Sequence, residues 1–267
     1  LEGVLTDASG NQLNNLIVGV ESGMRGGVAG QTVHTGTMAR ELYKFDADPR
    51  NTGDLLGANG ATLDNNSFYS TSVWAAKYRT IQHAHLLLEA LDNTSSVSAQ
   101  SASGYRGFAK TVVAHQLIML VKSYGRARVD VSDPTNLGPI LGESEVLSQV
   151  VSMLDNALSD LSAAGSSFSF PLAGFDGFDT PSTFSQFNRA VKAVALVYAG
   201  NKSSALTALN SSFFNLNGDL TTGPKHVFSL SAGDVTNGLY KIIDNNGDQI
   251  IVHNSFIADA EVGDKRV

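Results

Sequence analysis

Apolar residues recur along this chain at steps of three and four, the spacing that lines one face of an α-helix. The clearest stretch runs from Phe184 to Phe213. Phe184, Phe187, Val191, Val194 and Tyr198 share one stripe. Ala190, Ala193, Ala195 and Ala199 add small residues that let a second helix approach closely. Gly200 and Asn201 tolerate the left-handed backbone that ends a helix. A second series follows at once through Ala205, Leu206, Leu209 and Phe213. Two helices joined by so short a turn fold back as an antiparallel hairpin, and neither buries its stripe alone.

Further helices are predicted in order. Leu13, Leu16, Ile17, Val20 and Met24 form a short amphipathic helix, broken by Gly23, Gly26, Gly27 and Gly30. From Ser72 to Leu91 a helix carries Trp74, Tyr78, Ile81, His85 and Leu88 on one face. A Ser-rich linker leads to a helix from Tyr105 to Tyr124, whose centre LIMLV is apolar all round and so buried on several sides. Glu143 to Ala164 is the next, with Val146, Val150, Leu154, Ala157, Leu158 and Leu161 as its stripe. A long loop with Phe168, Phe170, Phe175 and Phe178 then enters the hairpin. Near the end LYKII-DNNGD-QIIV reads as a β-hairpin over 239–252, with Asn246-Gly247 at the turn. The fold class is mainly α: tetratricopeptide-like antiparallel helix hairpins with long loops and a small β-hairpin near the C-terminus. The 267 residues are expected to form a single domain.

Composition narrows the function. Charged residues are only 16% of the chain, and the net charge is −7. No cationic cluster exceeds Lys265-Arg266, so a nucleic-acid backbone or a polybasic membrane contact lacks its converging cations. Cysteine is absent, which removes disulfides, thiolate metal sites and cysteine nucleophiles.

Catalytic patterns are missing as well. There is no Gly-x-Ser-x-Gly elbow, His-Glu-x-x-His pair, P-loop or dinucleotide fingerprint, and no cofactor or metal is called for. His83 and His85 stand two apart and point to nearly opposite sides of their helix. His115 reads as a hydrogen-bonded core residue. Asp130, Asp133 and Asn136 offer oxygens without the ligand spacing of a calcium loop. A binding surface is expected instead in the irregular stretch 31–70. Its candidates are Arg40, Tyr43, Phe68 and Tyr69, with Trp74 on the following helix, a position that more often belongs to a core.

With the helices placed, the chain resembles the SusD/RagB outer-membrane lipoproteins. SVWAAKYRTIQHAHLLLEAL is similar to the family's W-x3-Y-x2-I-x2-A helix, and GYRGFAKTVVAHQLIMLVKSYG to the helix that ends in Tyr/Phe-Gly. SEVLSQVVSMLDNALSDLSAAG and FNRAVKAVALVYAGNKSSALTALNSSF resemble the next two segments. The last stretch is similar to the family's Asp-x-Arg end, here Asp264 and Arg266. Departures at His85, Val113 and the RARV that follows Gly125 mark a divergent member. The chain's length matches the N-terminal and central portion of such proteins, and its start reads as a trimmed end.

The resemblance implies a non-catalytic, lipid-anchored protein on the outer face of the bacterial outer membrane. Its partner would be a SusC-like TonB-dependent transporter and its ligand a glycan or other nutrient. A structural subunit that self-assembles into an oligomer or filament on the same scaffold is the alternative.

Overall fold

A computed structural model describes residues 2–231, 235–244 and 247–264. Asn246 of the expected turn and Arg266 of the closing motif lie outside the described residues. In chain order the helices are α1 (Glu2–Asp7), α2 (Gly10–Met24), α3 (Val28–Met38), α4 (Gly53–Leu56), α5 (Phe68–Asp92), α6 (Ala99–Tyr124), α7 (Glu143–Ala163), α8 (Pro181–Tyr198), α9 (Lys202–Asn210) and α10 (Asn254–Ala258). The strands are β1 (Leu42–Asp46), β2 (Arg126–Ala127), β3 (Leu141–Gly142) and β4 (Asp248–Val252). Two compact units result. One takes the chain up to Arg25 and from Lys77 to Val227; the other takes Gly26–Ala76 and the chain from Phe228 onward.

In the first unit α6, α7, α8 and α9 pack each on the next. α2 buries Leu13, Ile17, Val20 and Met24, the stripe marked in its sequence. The centre of α6 is enclosed, with Leu117, Ile118, Leu120 and Val121 all buried. Gly107 lets α7 come close: a Cβ there would sit 2.6 Å from Leu161 Cγ. Beside that contact Lys110 Nζ meets Asp160 Oδ2 at 2.7 Å. The loop into α8 turns its phenylalanines inward. Phe170, Phe175 and Phe178 are buried, and Phe168 stacks on Phe170 at 4.6 Å. Phe108 and Phe184, 5.5 Å apart, complete the aromatic cluster and hold the loop against the helices.

Three helices turn a different face inward from the one their apolar period predicts. On α8, Phe184 and Val191 are buried, but Val194 and Tyr198 are exposed. Asn188 takes the inner line. Its amide donates to Thr111 Oγ1 (2.9 Å) and to the Leu154 carbonyl (3.2 Å). Arg189 follows it inward, donating to Asp155 Oδ1 (2.8 Å) and to the Leu154 carbonyl (2.7 Å). Hydrogen bonds set this rotation, and a buried polar residue is invisible to an apolar count. On α9, Ala205 and Ala208 pack on Ala193 and Leu196, while Leu206 faces out. On α5, Ile81 is buried as expected, but Tyr78, His85 and Leu88 are half-buried. The inner line there runs through Lys77, Thr80, Ala84, Leu87 and Leu91. Tyr78 is held by the Arg128 backbone, whose N–H donates to the phenol oxygen at 2.6 Å.

The Asp130–Asn136 loop turns its carboxylates inward on itself. Asp130 accepts from Ser132 Oγ (3.0 Å), and Asp133 from Thr135 N (2.8 Å) and Oγ1 (2.7 Å). His115 meets Gln116 Nε2 at 3.1 Å and lies 6.2 Å from the Phe187 ring. Burial, with Lys77, His226 and Lys122 adding repulsion, depresses its basicity and favours the neutral ring.

The second unit replaces much of the expected irregular stretch with α3, β1 and α4. Gly27, left-handed at φ 74°, starts α3, so the glycines that break one helix open the next. Gly36 then lets β1 close on α3, since a Cβ there would lie 2.9 Å from Leu42. β4 is a strand as the sequence marks it, but its antiparallel partner is β1, and the described residues of 239–244 form no strand. Local turn chemistry identified the strand without identifying its mate. Pairing to Leu42–Asp46 buries one sheet face on α3, which a lone hairpin lacks.

Candidate functional site

The second unit presents two clusters of aromatic and charged side chains. The first is the two-stranded sheet. Register pairs Leu42 with Val252, Tyr43 with Ile251, Lys44 with Ile250, Phe45 with Gln249 and Asp46 with Asp248. Paired residues share a face and neighbours alternate. Leu42, Lys44 and Asp46 therefore lie on the face that meets α3, and Tyr43, Phe45, Gln249 and Ile251 on the other.

The inner face is fixed by one carboxylate. Asp46 accepts from Lys44 (2.9 Å), from Asn51 Nδ2 on both oxygens (2.9 and 2.7 Å) and from the Asp48 N–H (3.0 Å). Burial opposes the charge, but these donors outweigh it and hold the carboxyl below its ordinary value.

The outer face is open. Phe45 is 62% exposed and Ile251 is 47% exposed. Tyr43 lies against the His253 ring, 4.4 Å between centroids at an angle of 32°. His253 is itself buried and caps α10 by accepting the Ser255 N–H at Nδ1 (3.1 Å). Tyr43 is thus held rigid by a histidine that is anchored elsewhere. An exposed, partly apolar face with the Gln249 side chain opposite Phe45 suits a ring that has one C–H face and hydroxyls around its rim.

The second cluster gathers around Phe68. His34 meets Phe68 edge-on at 5.7 Å and Tyr69 at 6.2 Å. Arg50 lies over the Phe68 ring at 4.9 Å and grips Asp48 with two bonds, Nε to Oδ1 at 3.0 Å and Nη2 to Oδ2 at 2.7 Å. That pairing holds the Asp48 carboxyl down at about 2. Burial lowers the His34 pKa and favours its neutral ring.

The five expected surface residues are scattered. Tyr69 is only 6% exposed; its hydroxyl accepts from the Asp64 N–H (2.7 Å) and donates to Asp54 (3.0 Å). It braces the loop before α5 and is removed from the surface. Phe68 and Trp74 are half-buried on α5. Arg40 is exposed with a left-handed backbone (φ 57°), and its guanidinium reaches the Leu56 carbonyl at 3.5 Å. Tyr43 belongs to the sheet. Phe45, Gln249, Ile251 and His253 escaped the sequence reading. The alternation Tyr43-x-Phe45 was the available signal, and only the β1–β4 pairing shows that this face has an outside.

No family model matches the chain, and no curated protein matches it. Among solved structures it is similar to a SusD superfamily protein from Bacteroides vulgatus ATCC 8482, at a TM-score of 0.58 and 14% sequence identity. The likeness covers 76% of this chain and 42% of that protein, so the chain spans less than half of its length. At this identity the likeness concerns the fold: the chain has a divergent SusD-like fold, mainly α and tetratricopeptide-like.

Proposed function

We propose that this chain is a non-catalytic binding protein that captures a glycan or another nutrient at the outer face of the bacterial outer membrane. It hands the ligand to a SusC-like TonB-dependent transporter, and a lipid anchor keeps it at the surface. The observation that carries the reading is the open face of Tyr43 and Phe45 on a SusD-like scaffold. Arg40 and Phe68, elsewhere in the same unit, are further candidates for ligand contact, and Trp74 is an outer candidate. The test is a glycan array on the purified chain, followed by calorimetry with the best ligand. Phe45→Ala weakens that ligand at least tenfold while leaving the circular dichroism unchanged. Binding that survives both Phe45→Ala and Tyr43→Ala refutes the site.

The second reading, a self-assembling surface or filament subunit, is favoured by one feature, the exposed apolar side of α8 and α9. Gentle extraction from the native membrane separates the two. A β-barrel in near-equal amount supports nutrient capture, and homopolymers without a barrel support assembly.

A further inference from the structure

Among the described residues the α8–α9 hairpin is the last of the packed helices in the first unit, and its outer side is apolar and exposed. Along its outer surface lies a groove of about 610 Å³. Val194, Val197, Tyr198, Leu206 and Phe214 line it, Val197 at 59% and Leu206 at 58% exposed. The floor is rigid. Small residues hold α8 to α9 through Ala193 and Ala205, and Phe213 is pinned by Phe178 at 5.0 Å. Terminal units of helical stacks ordinarily carry a polar outer face, because nothing packs beyond them. This one carries valines, a leucine and aromatics at helical spacing, the pattern of a helix still lacking its neighbour.

Charge selects the occupant. The whole chain is acidic at −7, yet α8 and α9 contain Arg189, Lys192 and Lys202 and no Asp or Glu. Arg189 and Lys192 are both bound to Asp155, on the cleft that faces α7. The groove itself is bordered by Lys122, which lies over the Tyr198 ring at 5.5 Å, and by Lys202. No carboxylate lines it among the described residues. A second copy docked through the same groove would add two more lysines and no carboxylate. An apolar helix flanked by carboxylates would instead fill the groove and neutralise its rim.

We infer that the outer face of α8–α9 is a docking groove for an amphipathic helix of a partner protein, its Leu/Phe stripe flanked by Asp or Glu. The inference stands apart from the ligand surface, which lies in the other unit.

The test uses the 267-residue chain and two stapled helical peptides with one apolar stripe, one flanked by Glu and the other by Lys. Fluorescence anisotropy is expected to show the Glu-flanked peptide binding at least tenfold more tightly. Leu206→Asp, at an exposed position, abolishes that binding without changing the melting temperature, and Lys202→Glu narrows the preference severalfold. Equal binding of both peptides, or none, overturns the proposal. So does a dimer in sedimentation that Leu206→Asp dissociates, because the groove then belongs to a second copy.

Discussion

Asn188 offers the sharpest test of how the helices are held. It is fully buried on α8 and joins three helices at once. Its amide group reaches Thr111 on α6 and the Leu154 carbonyl on α7, and its carbonyl oxygen accepts from Arg189 Nε at 2.8 Å. In Asn188→Ala the losses are unequal. Thr111 keeps its bond to the Gly107 carbonyl (2.7 Å), and the Leu154 carbonyl keeps Arg189 Nη2 (2.7 Å). Arg189 Nε is the group left stranded, a charged donor inside the fold. An unsatisfied buried donor costs about 1–3 kcal/mol, and more when charged. Alanine's better helix propensity returns roughly 0.5 kcal/mol. The net expectation is a loss of about 2–3 kcal/mol, read from urea denaturation followed by far-UV circular dichroism at unchanged slope. In an Arg189→Met background the same Asn188→Ala substitution should cost much less, because no charged donor is left to strand, and Asp155 retains Lys192 at 2.7 and 2.8 Å as its counter-ion. A loss below about 1 kcal/mol for alanine, or equal losses in both backgrounds, would refute a stranded Arg189 as the cause.

Other perturbations reach different parts of the fold. Gly107→Ala places a methyl group 2.6 Å from Leu161 Cγ and 3.1 Å from the Ala157 carbonyl. It should destabilise by about 1–3 kcal/mol, with partial rescue by Leu161→Ala in a double-mutant cycle. Lys77 is 1% exposed, and burial pushes its pKa down to about 8 from 10.5. The unfolded chain binds that proton more tightly, so stability should rise between pH 8 and 10 by up to about 3 kcal/mol. Lys77→Met should flatten the rise, and an unchanged pH profile would show that burial does not govern this amine. Phe184→Ala, at the centre of the Phe108, Phe168 and Phe175 rings, should cost about 3–5 kcal/mol in the same denaturation assay. Retention of full stability would mean the loop into α8 is not held by its aromatics.

The sequence alone was enough for the long helices of the first unit. Period 3.6 is a local property, written every three or four residues, so α2, α6 and α7 could be read from Leu13, Leu117 and Val150 and their neighbours. It also placed the α8–α9 turn at Gly200, whose φ of 74° is the left-handed backbone a helix end requires. Tertiary structure decided which way each helix turns. Asn188, Lys77 and Thr80 occupy inner lines that an apolar count assigns to Val194, Tyr198 or Tyr78, because hydrogen bonding and the packing around them override hydropathy. α3 was hidden by Gly30 and Gly36, residues that weaken an isolated helix yet let Val73 and Leu42 pack against this one. The candidate site depended on tertiary structure most of all. Tyr43 could be named from its type, but Phe45, Ile251 and His253 joined it only through pairing between strands some two hundred residues apart. A pairing at that separation leaves no periodic trace in either strand, and so only the folded chain shows it.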